Sequence, residues 1–127
     1  MVAPEHPLAR EASVDLLRLS AETFVDLPAG TAGRAQSDQA FAAAGIDREV
    51  AFEVSSAEYI ARLVEQDLGV AMLPSAYVPQ LTGVVTVAVS DAPARVEYIV
   101  WNSFSRTPAA AAFLAVLDIP VPSDAGA

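Results

Sequence analysis

Two serines, Ser55 and Ser56, stand at the head of the stretch SSAEYIARLVEQDLGVAMLP. Hydroxyls at a helix start, beside free amides and the positive end of the helix dipole, are groups that can receive a carboxylate or another anion. Ser55 followed three residues later by Glu58 matches the capping box, in which serine accepts from the N3 amide and glutamate reaches back to the cap. The plainer reading is that Ser55 only caps and Ser56 only faces water. A second candidate is the loop Ala29 to Gly33. Glycines there let a ligand approach the backbone, and Thr31 can both cap the next helix and offer its hydroxyl. A tight turn with a threonine cap explains the same residues, and the G-K-[ST] ending of a phosphate-binding loop is missing. Pro74 and Ser75 close the next apolar run and can line the same crevice, with proline as a simple strand stop the alternative.

Other chemistry finds less support. His6 is the only histidine and cysteine is absent, so a metal site would rest on carboxylates that show no ligand spacing, and no metal or other cofactor is expected. No serine lies in G-x-S-x-G, which removes the motif basis for a hydrolase. The acidic pairs Glu22 with Asp26 and Asp47 with Glu49 are read as solvated charge rather than as an acid and base. Sixteen acidic against seven basic side chains give a net charge of -9, a field that repels phosphate backbones. The basic residues are all arginine and lie scattered, so they are read as solvated surface, and this chain by itself is not expected to bind nucleic acid. Absence of thiols fits a reducing compartment. No apolar export signal or membrane-spanning run is seen, so the expected location is cytoplasmic, with no membrane partner.

The elements that must position these groups alternate. Val14, Leu16 and Leu19 suggest a helical turn, and Phe24, Val25 and Leu27 a buried strand ending at Pro28. Ala35 to Ala44 reads as an alanine-rich helix stopped by Gly45, with Phe41 its one large apolar side chain, hence a candidate interface helix. Val50, Phe52 and Val54 alternate as one face of a half-buried strand. Ile60, Leu63, Val64 and Leu68 form the stripe of a helix stopped by Gly69, and Val70 to Leu73 a strand covered on both faces. A turn follows over Pro74 to Leu81, then strands over Val84 to Val89 and Val96 to Trp101. Thr107 and Pro108 open a last helix through Leu117, with Phe113, Leu114, Val116 and Leu117 as its apolar side. Alternating strands and helices predict an α/β fold with a mainly parallel sheet.

Several strings, in order, resemble the effector-binding domain of LysR-type transcriptional regulators. They are His6-Pro7-Leu8-Ala9, Phe24-Val25 with Gly30, Ala43-Ala44-Gly45, Val64 with Gly69-Val70-Ala71-Met72-Leu73-Pro74, Val100-Trp101, and Pro108 to Phe113. Gln66 stands where the family usually has glycine. The resemblance implies a three-layer αβα half of a type II periplasmic-binding-protein-like fold. On that reading residues 1-106 are the second subdomain, 107-119 the return helix of an absent first subdomain, and 120-127 a mobile tail, so the chain is a truncated piece.

The resemblance also implies a function: a small-molecule effector, an organic anion among the options, binds in an inter-subdomain cleft and controls DNA binding by a separate winged helix-turn-helix. Effector contacts are then expected from Ser55, Ser56, Thr31, Gly30 and Pro74, and from Trp101 near the hinge, where packing is the competing explanation. Phe41, Ala40, Ala44 and Phe52 correspond to the family's dimer surface, with an ordinary core contact the alternative for Phe41. Homo-oligomers are expected, helped by an apolar patch near Ile99, Trp101 and Leu117. The function expected is sensing rather than catalysis. A piece of a solute-binding protein for uptake is the alternative, and a small enzyme using acidic residues a more distant one.

Overall fold

The computed structural model describes residues 1-96, 98-100 and 107-118. The chain divides into two compact units, one over Met1–Arg95 and one that begins at Val96.

In the first unit, strand β1 (Ser13–Val14) leads into helix α1 (Leu16–Leu19), then β2 (Thr23–Asp26), α2 (Ala32–Ala43), β3 (Glu49–Glu53), α3 (Ala57–Glu65) and β4 (Ala88–Val89). Short 3-10 helices occupy Pro7–Arg10 and Ser75–Gln80. β2 is the centre. It pairs in parallel with β3 on one side and through Phe24 with Val70 on the other. Ala71 in turn receives Met1, since the Ala71 amide donates to the Met1 carbonyl at 3.0 Å. Val2 pairs antiparallel with Val85, and β1 pairs in parallel with β4. The fold is thus α/β with parallel strands and helices.

Alternation along β2 makes the layers. Phe24 points into a core with Leu8, Leu16, Leu19, Phe41 and Val70, while Val25 meets Ile60, Val64 and Ala71 on the opposite face. Helices α1 and α2 therefore cover one side of the sheet and α3 the other.

Several expectations need correction. The Ser55 and Glu58 box does not form. Backbone pairing with Asp26 continues through the Val54 amide at 3.0 Å, so the chain stays extended and Ser56 becomes the N-cap, without a side-chain cap bond. With Ser56 at that position N3 is Tyr59, and Glu58 turns instead to Arg62 at 2.8 Å. Gly69 is not the left-handed stop. Asp67 takes that conformation, at φ 57°, and the helix ends before Leu68, which is exposed. Gly69 serves close approach: a Cβ there would lie 2.6 Å from the Thr23 carbonyl oxygen, against the backbone of β2. The run Val70 to Leu73 pairs at Val70 rather than forming a full strand.

β3 does not alternate simply. Its register slips between Phe24 and Val25, so Val50 lies opposite Phe24 but Phe52 opposite Val25. The bulge sends Val50 and Phe52 to different faces, and Phe52 is left 41% exposed. Helix α2 begins a turn earlier than the alanine run suggested, because Thr31 caps it by accepting from the Arg34 amide at 3.4 Å, and Gly45 follows its end as expected. Arginines are not all solvated either: the Arg48 side chain is 4% exposed and Asp26 2%.

In the second unit, Val96 and residues 98-100 form no strand; they have no ladder partner among the described residues. Helix α4 (Pro108–Val116) is capped by Thr107, whose hydroxyl accepts from the Ala110 amide at 3.2 Å. Leu114 is buried, whereas Phe113, Val116 and Leu117 are exposed. Trp101 and the expected tail over 120-127 lie outside the described residues.

Candidate functional site

Parallel pairing fixes where a ligand can meet this fold. Because β2, β3 and the Val70 run point the same way, the segments that leave their C-terminal ends emerge from one edge of the sheet. Those segments are Leu27 to Thr31, Val54 to Ser56, and Leu73 to Ser75, and crevices of open α/β sheets form at such edges.

A cavity of about 620 Å³ opens there, on the α2 side of the sheet, within the range of small-molecule sites. Asp26 and Leu27 come from the end of β2, Gly33 and Ser37 from the inner face of α2, and Pro74 and Ser75 from the third segment. Its far wall is the chain from Thr86 to Val89 with Ala92, Pro93 and Arg95. Gln36 bridges that wall to α2, its Nε2 donating to the Ala94 carbonyl at 2.9 Å.

Of the expected contact residues, Pro74 lines this cavity; Gly30, Thr31, Ser55 and Ser56 lie outside its wall. Gly30 and Thr31 belong to the rim loop. The Thr31 amide donates to the Pro28 carbonyl at 3.2 Å, closing a turn with Gly30 at its third position and φ 88°, a conformation that glycine adopts without strain. Thr31 Oγ1 donates back to the same carbonyl at 2.9 Å, so its hydroxyl is engaged in the turn. Ser55 is exposed and Ser56 half-buried, and the absence of a side-chain cap bond leaves the first amides of α3 available to another acceptor.

The rim is tied down by charge. Arg34 Nη1 donates to the Leu27 carbonyl at 3.1 Å and to Glu53 Oε1 at 2.8 Å, and Glu53 Oε2 accepts from the Ala29 amide at 3.4 Å. Arg34 Nε meets both oxygens of Asp38 at 3.0 Å. Behind it Arg48 Nη2 lies 2.6 Å from Asp38 and 2.7 Å from Asp26 Oδ2. That last contact is an ion pair without hydrogen-bond alignment, since Oδ2 finds no aligned donor; Oδ1 accepts from the Leu27 amide at 2.7 Å. Burial works against the charge of Asp38, but the hydrogen bonds from Arg48 and Arg34 outweigh it and hold its pKa below the usual value. The bond from Arg34, aided by the Ala29 amide, lowers that of Glu53. Burial likewise opposes the charge of Arg34, and its bonds to Glu53 and Asp38 raise its pKa in spite of it.

Sequence reasoning missed Asp26, Gln36 and Ser37 as cavity residues, whereas Gly33 closes the loop it had singled out for ligand approach. A carboxylate inside the apolar run Phe24 to Leu27 was the available signal for the first. Helical spacing from Gly33 to Ser37, one turn apart, was the signal for the α2 face. The reading of Asp26 as solvated is overturned, because it is enclosed beside Arg48.

On the expected dimer surface, Phe41 is corrected to a core residue. It is 2% exposed and meets Phe24 edge to face with ring centres 5.6 Å apart. Ala44 and Phe52 are exposed and Ala40 half-buried.

A model of the LysR substrate binding domain matches residues 1-118. The fold is similar to the effector binding domain of QuiR, solved in complex with shikimate, with a TM-score of 0.68 and 22% identity over 90% of this chain and 56% of that one. It is also similar to HinK, a LysR family transcriptional regulator from Pseudomonas aeruginosa, with a TM-score of 0.59 and 23% identity over 72% of this chain and 33% of that one. The chain therefore spans about half of the first of these chains and a third of the second. Among the described residues no helix is long and apolar enough to cross a membrane. The chain belongs to the LysR substrate binding domain family.

Proposed function

We propose that this chain is the effector-sensing part of a LysR-type transcriptional regulator, acting in the cytoplasm. A small molecule binds at the C-terminal edge of the sheet and controls DNA binding by a separate winged helix-turn-helix. The observation that carries this reading is the cavity of about 620 Å³ at that edge, in a chain of this family. An organic anion is the class of effector favoured. The first amides of α3 lack a side-chain cap and Arg95 lines the cavity, while QuiR is a relative in fold whose complex holds shikimate, a carboxylate. The role is sensing, not catalysis, and nothing favours the transport alternative.

Residues 1-106 would then form one wall of a cleft, with α4 belonging to the other half, so the chain alone binds weakly. Shikimate titrated into the labelled chain is expected to shift the amides of the cavity residues Leu27, Gly33, Ser37 and Ser75, and with them those of Ser55 to Ala57 at the same edge, with millimolar affinity. Shifts confined to other parts of the chain, or tight binding at micromolar concentration, would contradict this arrangement. Self-association through exposed Phe113, Val116 and Leu117 is part of the same proposal. Light scattering should show the apparent mass rising with concentration, and a constant monomer mass refutes it.

A further inference from the structure

We propose that Arg34 is the positioning residue of the effector corner, holding the rim loop Pro28 to Thr31 and the end of β3 in one fixed arrangement. The inference rests on the effector reading only in giving that loop a ligand to meet.

Three segments converge on this one guanidinium. Nη1 is shared between the Leu27 carbonyl, where β2 becomes the loop, and Glu53, the last residue of β3. Glu53 spends its other oxygen on the Ala29 amide inside the loop. Nε is fixed from behind by both oxygens of Asp38, one turn further along α2. The Arg34 amide is also bonded to Thr31 Oγ1, at 3.4 Å, so the loop is gripped at its start, middle and end. A planar fork with several donors can satisfy these acceptors together, whereas an ammonium group cannot match the geometry. The Arg34 side chain is 13% exposed and those of Asp38 and Glu53 are 48% and 44% exposed, so the guanidinium is held in place while the carboxylate ends of these bonds stay open to screening by salt. Glu53 lies two residues before Ser55, so the Arg34 to Glu53 link sets the spacing of the two segments that a ligand at this edge would touch.

A merely structural role, fastening α2 to the sheet, would loosen the whole α2 side when removed. The positioning role predicts a local effect. In the full chain, backbone order parameters of Ala29, Gly30 and Thr31 are expected to be near the rigid value of about 0.85 and to fall below about 0.6 in Arg34→Met. Values at Ser37, Ala40, Ile60 and Val64 should stay unchanged. Glu53→Ala should release Ala29 to a similar extent, and adding it to Arg34→Met should produce little more, because one link has already been cut. Arg34→Lys should lie between wild type and Arg34→Met, and Glu53→Gln, which keeps an acceptor for Ala29, should stay closer to wild type than Glu53→Ala. Unchanged loop order in both single variants overturns the proposal, as does a loss spread evenly through α2. If Arg34→Met does not fold, Glu53→Ala and Arg34→Lys decide the matter by the same measurement. Since no ligand enters, a negative result leaves the effector reading standing, and failure of that reading leaves the link measurable.

Discussion

Helices α2 and α3 cover opposite faces of the same short parallel sheet and are fastened to it by different means. On the α3 side Ile60 and Val64 meet Val25 and Ala71, all buried and apolar, and the charged residues Glu58 and Arg62 pair with each other in solvent. On the α2 side Phe41 is the helix's one large buried apolar side chain, set in a core with Leu8, Leu16, Leu19, Phe24 and Val70, and charged pairs are added to it: Arg48 against Asp26 and Asp38, and Arg34 against Asp38 and Glu53. Arg48 also lies over the rings of Phe24 and Phe41, at 4.9 and 5.1 Å from their centres, a placement that offsets part of the cost of burying it. The α3 contact is apolar alone, while the α2 contact adds particular charged pairs to an apolar core. The particular pairs lie on the side that carries the cavity.

The sharpest way to break that contrast is Arg48→Met, which leaves Asp26 enclosed with its main counter-charge gone. A loss of about 3 to 5 kcal/mol is expected in urea unfolding. A loss below 1 kcal/mol would mean that the pair contributes little. Next comes Ile60→Ala on the apolar face, where removing a buried side chain should cost on the order of 3 kcal/mol by the same measurement.

Acid separates the two sides further. The pKa values of Asp38 and Glu53 lie below their ordinary 3.8 and 4.5 in the folded chain. The stability they contribute is therefore complete above those ordinary values and disappears as pH falls through the lowered ones. Arg34→Met should flatten the pH dependence of stability in that window, whereas Ile60→Ala should lower the curve without changing its slope. The smallest effect belongs to Arg62→Ala. Its pair with Glu58 is exposed, and a change within about 0.5 kcal/mol is expected in urea unfolding.

The same contrast explains what was legible in the sequence. The α3 face appears as Ile60 and Val64 at helical spacing, because apolar burial leaves a periodic mark. Strand β2, the turn at Gly30 and the caps at Thr31 and Thr107 were visible for similar local reasons. Charge burial leaves no such mark: Asp26, Asp38 and Arg48 are far apart in sequence, and only the pairing of β2 with β3 brings them together. The capping box failed at Ser55 because a sheet hydrogen bond at Val54 outweighed a local one. The bulge in β3, which parted Val50 from Phe52, likewise came from pairing rather than from propensity. At the site, Pro74 was found because prolines mark strand ends and Gly33 because glycines mark a loop, whereas Ser37 was hidden in an alanine-rich helix read as an interface.

The pairing of Val2 with Val85, and of β1 with β4, has a consequence for biosynthesis. The opening residues of the chain wait for partners that leave the ribosome more than seventy positions later, and closing so long a loop is entropically slow. Strand β2 and its two helices can dock early, but the far wall of the cavity cannot exist until Thr86 to Val89 have emerged. A nascent chain halted before that point would carry the rim loop without a pocket behind it.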